Sequence, residues 1–151
     1  MDRDDGATAF PPLPLLLIGV GRFTQDAAHR VLAERGDYSL RLMGALGHLA
    51  HEPGLSYSEL ARRAGVTAQS MQATVGRLER AGAVARVTPA GRGRTAALHV
   101  TDEGHRMLAE MRQALAGLEE PLTAGLTADE RAVLTAALLR LAGNAKVVSA
   151  G

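Results

Sequence analysis

Cysteine is absent from the 151 residues, which excludes disulfides, thiolate metal ligands and thiol-based redox switching. Tryptophan is absent too, and two Tyr and two Phe supply all the aromatic side chains. The core must therefore come from Leu, Val, Ala and Met, a composition that favours helices over sheets. No apolar run approaches the roughly 18 to 20 residues that span a bilayer. The apolar stretch from Leu13 to Val20 follows Asp2, Asp4 and Asp5, where a secretory signal needs positive charge, so a cytoplasmic chain is expected, with no membrane partner. P-loop, HExxH and oxyanion-loop patterns are all missing, and neither an enzyme nor a bound cofactor is expected.

What is present is unevenly distributed. The formal net charge is only +1. Yet between Ser56 and Val100 lie Arg62, Arg63, Arg77, Arg80, Arg86, Arg92 and Arg94 against just Glu59 and Glu79, which leaves the flanking segments net acidic. A basic middle between acidic ends is the electrostatic footprint of a polyanion-binding module joined to something else. The length suits one domain.

Apolar spacing sets out the elements. Pro11, Pro12 and Pro14 allow a first helix to start at about Pro14 and run to Gly36, with Leu16, Val20, Phe23, Ala27 and Val31 on one face. Leu15, Leu17 and Ile18 widen that apolar surface beyond what a lone domain needs, which points to a partner subunit. Ser39 caps a second helix with Leu42, Met43, Leu46, Leu49 and Ala50 inward, closed by Pro53 and Gly54. Ser56 to Glu59 forms a capping box for a two-turn helix stopped by Gly65. Thr67 caps a fourth helix with Met71, Thr74, Val75 and Leu78 inward, ended by Gly82. Two short helices about a glycine turn predict a helix-turn-helix. Residues 83–88 and 95–100 read as two strands around a turn-rich tip, a wing. Met107, Met111, Leu115, Leu118 and Leu122 form a further helical stripe, broken near Pro121. A last helix opens with the capping box from Thr127 to Glu130 and carries Val133, Leu134, Ala137, Leu138 and Leu141.

This order resembles the multiple-antibiotic-resistance regulator (MarR) family, and the local sequence agrees. Residues 49–82, LAHEPGLSYSELARRAGVTAQSMQATVGRLERAG, are similar to that family's second helix, turn and two DNA-reading helices. Residues 100–104, VTDEG, resemble its L-T-x-x-G signature, and residues 126–134, LTADERAVL, its last-helix entry. The resemblance implies a mainly α fold with a small β-wing: a winged helix-turn-helix lobe at 38–101 between dimerisation helices at 13–36 and 102–148, all in one chain. It also implies a homodimeric, ligand-responsive regulator, a repressor by family habit, that binds a pseudo-palindromic operator in double-stranded DNA. Family wings carry Asp-x-Arg at the tip. Here Arg94 retains the arginine that would enter the minor groove, while Arg92 replaces the acidic residue, a change expected to favour tighter and less selective binding.

The expected reading residues lie on the outward side of the fourth helix. Thr67 and Ser70 stand at its start, Gln69 and Gln72 match adenine edges, and Arg77 suits guanine or phosphate. Arg62, Arg63, Arg80 and Arg86 suit phosphate, although Arg80 and Arg86 could instead pair with surface carboxylates. The resemblance further implies a small aromatic or anionic effector in a cleft between the lobes, with His29, His48, His51 and His105 on helices that could border it. Two rival readings stay open. Ala68 and Ala73 suit a protein-interaction module that has lost DNA binding, and His48 with His51, three apart, suit a small metal-dependent protein.

Overall fold

The computed structural model describes residues 11–87 and 96–148. Seven helices and two strands lie among them: α1 (Leu13–Ala33), α2 (Leu40–His51), α3 (Tyr57–Ala64), α4 (Ala68–Arg80), β1 (Val84–Val87), β2 (Ala97–Val100), α5 (Asp102–Ala116), α6 (Glu119–Leu122) and α7 (Ala128–Val148). The chain divides into a first unit through Ala116 and a second from Gly117 onward.

One core fills the first unit. Leu32 from α1, Leu46 and Leu49 from α2, Leu60 from α3, Met71, Val75 and Leu78 from α4, Leu98 from β2 and Met111 from α5 are all fully buried. Helix α5 thus shares its core with the helix-turn-helix. Each junction is set by local chemistry. The Ser39 hydroxyl accepts from the Leu42 N–H, and Ser56 with Glu59 closes a complete capping box on α3. Gly65, at φ 65°, ends α3 in a left-handed turn in which the Val66 N–H returns to the Ala61 carbonyl at 3.0 Å. Gly82, at φ 71°, does the same for α4, with the Ala83 N–H donating to Leu78 at 2.8 Å.

The strands pair antiparallel in the register Val84 with Val100 through Val87 with Ala97. Strand β2 also bonds the segment after α2, because Leu98 donates to Leu55 and accepts from Gly54. Thr101 joins this hairpin to α5: its hydroxyl donates to the Gly82 carbonyl at 2.6 Å and accepts from the Gly104 N–H. The expected wing tip, with Arg92 and Arg94, lies outside the described residues.

Three sequence expectations need revision. Helix α1 begins at Leu13, close to the expected start, with Pro14 inside its first turn where a missing N–H costs nothing, but it ends at Ala33, short of Gly36. Its buried residues are Ala28 and Leu32, while Leu16, Val20 and Phe23 are exposed, so the inward face is offset and only the C-terminal half packs on this unit. Helix α5 ends at Ala116 rather than near Pro121, which sits within the first turn of α6. Leu122 of the expected stripe is exposed.

The second unit contains α6 and α7. The predicted box forms, with Thr127 N–H and hydroxyl both donating to Glu130 Oε2 and the Glu130 N–H returning to the threonine oxygen. Helix α7 has no buried residue, and Val133, Leu134, Leu138 and Leu139 are exposed.

Candidate nucleic-acid interface

Helix α4 buries Met71, Thr74, Val75 and Leu78, the four residues expected, and this fixes its opposite face outward. Ala68, Gln69, Gln72, Ala73 and Arg77 are exposed on that face. Thr67 caps the helix by accepting from the Ser70 N–H at 3.1 Å. Ser70 itself is half-buried, and its hydroxyl accepts from Arg41 of α2 at 3.3 Å. Ala73 and Gly76 leave little side-chain bulk midway along the helix, and the Arg80 guanidinium folds over Gly76, with a nitrogen 3.5 Å from where a Cβ would stand.

The arginines separate into two sets. Arg63 pairs with Glu52 at 2.7 Å and Arg77 with Asp37 at 2.5 Å, Arg77 also donating to the Asp37 carbonyl. Arg86 pairs with Glu79 at 3.1 Å, donates to the Tyr57 hydroxyl and lies 5.1 Å from the centre of the Tyr57 ring. The carboxylate pairing weighed for Arg86 is therefore the arrangement present. Glu79 and the Tyr57 hydroxyl together push the Arg86 pKa up, while burial, reinforced by the Glu79 charge, raises that of Tyr57. Arg62 and Arg80 are exposed, and among the described residues no carboxylate lies within ion-pair distance of either.

Residues beyond the expected set join the site. Asp37 holds Arg77, Tyr57 holds Arg86 and Arg41 touches the start of α4. Asp37 and Tyr57 carried no signal in the sequence, since their roles depend on loops brought together by folding. Arg41 did carry one, a charged residue interrupting the apolar opening of α2.

Two cavities flank α4. One, of about 250 Å³, is lined by Tyr38, Leu42, Leu78 and Met107 with Asp37, Arg77 and Glu103 among its polar residues. The other, of about 280 Å³, is lined by Arg41, His48, Ala45, Ala64, Val66 and Met71. Of the four histidines singled out, His48 lines this second cavity, and His29, His51 and His105 are exposed. Among the described residues no three His, Asp or Glu side chains cluster closely enough to hold a metal ion. No helix among them is long and apolar enough to cross a membrane.

A helix-turn-helix with an outward polar face, two glycine-closed turns and a two-stranded wing stem defines a winged-helix protein. The MarR family matches residues 41–95. The HTH-type transcriptional repressor Rv2887 of Mycobacterium tuberculosis is 33% identical over 120 residues, covering 80% of this chain and 86% of the relative. A putative transcriptional regulatory protein for the hcr operon of Thauera aromatica is 36% identical over 100 residues, 66% of this chain and 60% of that one. The crystal structure of Rv2887 in complex with DNA superposes with a TM-score of 0.75 at 30% identity, covering 87% of this chain and 98% of that one. Its complex with salicylic acid gives 0.71 at 31% identity, covering 89% and 98%. The chain belongs to the MarR family of transcription regulators.

Proposed function

We propose that this chain is a cytoplasmic, ligand-responsive repressor that binds a pseudo-palindromic operator as a homodimer, and that it is not an enzyme. The observation that carries this reading is the presentation of Gln69 and Gln72 to solvent by a helix whose inward face is fully committed to the core. Amide side chains so placed match the donor and acceptor pattern of adenine in the major groove. Thr67 caps the same helix and Ser70 lies between the two glutamines, while Arg62, Arg63, Arg77, Arg80 and Arg86, with Arg92 and Arg94 of the expected wing tip, serve as contacts to the DNA backbone. Rv2887, the mycobacterial relative, has been crystallised with DNA, with salicylic acid and with p-aminosalicylic acid. These complexes support operator binding and a small aromatic acid effector for this chain.

A single winged-helix module buries only roughly 600 to 1,000 Å² on DNA, too little for tight specific binding, and a dimer doubles it. The bare apolar surface of α1, from Leu13 through Phe23, supports self-association. The test is titration of a duplex from upstream of its own gene against a random duplex of equal length, with and without salicylate. Preferential binding relieved by the acid is expected. Equal affinity for both duplexes overturns the operator reading, and binding indifferent to a panel of aromatic acids overturns the effector reading.

A further inference from the structure

Three arginines expected on phosphate, Arg63, Arg77 and Arg86, each already hold a carboxylate. Arg41 does not. It is exposed at the second residue of α2, and among the described residues no carboxylate lies within ion-pair distance of its guanidinium. Among the described residues its guanidinium donates Nη1 to Ser70 Oγ, 3.3 Å away and 29 residues along the chain. Ser70 lies in the first turn of α4, between the two exposed glutamines.

We propose that Arg41 grips the DNA phosphate backbone at the edge of the major groove entered by the first turn of α4, reaching there from α2 through its contact with Ser70. The inference rests on the DNA-binding reading above. Three physical points carry it. Phosphates wall the groove, so a long cationic side chain seated beside the first turn of a reading helix is within their reach. A hydroxyl is a neutral partner, and exchanging it for phosphate gains an oppositely charged acceptor, whereas Arg63, Arg77 or Arg86 must first surrender an ion pair. Because Arg41 belongs to α2, a phosphate held there fixes the register of α4 from a second element. Arg41 thus acts as a positioning residue that carries no base information of its own.

Counterion release makes the idea measurable. Each phosphate neutralised contributes about −0.9 to the slope of log affinity against log salt. Arg41→Ala and Arg41→Gln are expected to flatten that slope by about 0.9 per bound copy, on upstream and random duplexes alike. Arg41→Lys restores most of it. Thermal unfolding of all three variants stays close to wild type, since the side chain is exposed and unpaired by charge. Wild-type slopes in both neutral variants overturn the assignment to Arg41 and leave the DNA-binding reading standing. A loss confined to one duplex sequence overturns the phosphate role in favour of base reading. A wild-type protein without salt-dependent duplex binding overturns both proposals.

Discussion

Arg77 of α4 places a guanidinium nitrogen 2.5 Å from the Asp37 carboxylate, so a residue expected to face DNA is tied in the free protein to the α1–α2 connection. The aspartate is almost wholly solvated and the arginine less than half so. An exposed pair of this kind is worth about 0.2 to 1 kcal/mol, and phosphate binding has to displace it. Asp37→Asn is therefore expected to tighten duplex binding by up to about fivefold at low salt, read by fluorescence anisotropy. Unchanged affinity would show that Arg77 stays on Asp37 in the complex or points away from the backbone.

Self-association through α1 makes a separate prediction. Ile18 and Phe23 are 59% and 78% exposed, and charging both removes the apolar gain of burying them without touching the core around Leu32. The double variant Ile18→Glu, Phe23→Glu should have half the wild-type mass by light scattering and an unchanged helical signal by circular dichroism. A variant of wild-type mass would place the interface elsewhere.

Gly104 is the tightest point of the wing junction. A Cβ there would stand 2.1 Å from the Ala83 carbonyl oxygen and 2.6 Å from Val100 Cγ1. That carbonyl is held by the Thr101 N–H at 3.0 Å and cannot retreat cheaply. Gly104→Ala should cost about 1 to 3 kcal/mol or more in urea unfolding, by overpacking. The same change at Gly44, whose Cβ meets nothing within 4 Å, should be neutral to stabilising.

Both capping boxes hold their glutamates below the ordinary carboxylate value of 4.5, through the N–H of Ser56 for Glu59 and of Thr127 for Glu130. A depressed folded-state pKa contributes stability that is present above the unfolded value and lost as pH falls through the folded one. Stability should thus decline with acidification from about pH 4.5 downward. Glu59→Gln and Glu130→Gln should each flatten the decline, as read from urea midpoints across that range.

The helix-turn-helix was legible residue by residue because its signals are local. Ser56, Gly65, Thr67 and Gly82 act on neighbours within one turn, and the inward set Met71, Thr74, Val75 and Leu78 follows from a single period. Helix α1 was harder to read, because Leu, Ile and Val surround its first turns and periodicity cannot choose between a core face and a face awaiting a partner. Ala28 and Leu32 are buried only because α2 and α5 meet the C-terminal end of α1. The candidate site was half visible. Gln69 and Gln72 are outward as the wheel requires, but the partners of Arg63, Arg77 and Arg86 come from Glu52, Asp37 and Glu79, and which cations remain uncompensated is decided by packing between elements. Tyr38, whose hydroxyl donates to Glu110 at 2.6 Å across 72 residues, is another such contact, and its pKa is raised chiefly by that bond.

The uncovered leucines of α1 carry a consequence for abundance. If two copies must join before either reads DNA firmly, mass action makes the active species grow with the square of the amount synthesised while copies are scarce. Modest changes in gene dosage or turnover would then swing promoter occupancy steeply, and a helix whose N-terminal half stays exposed in the single chain would set the threshold.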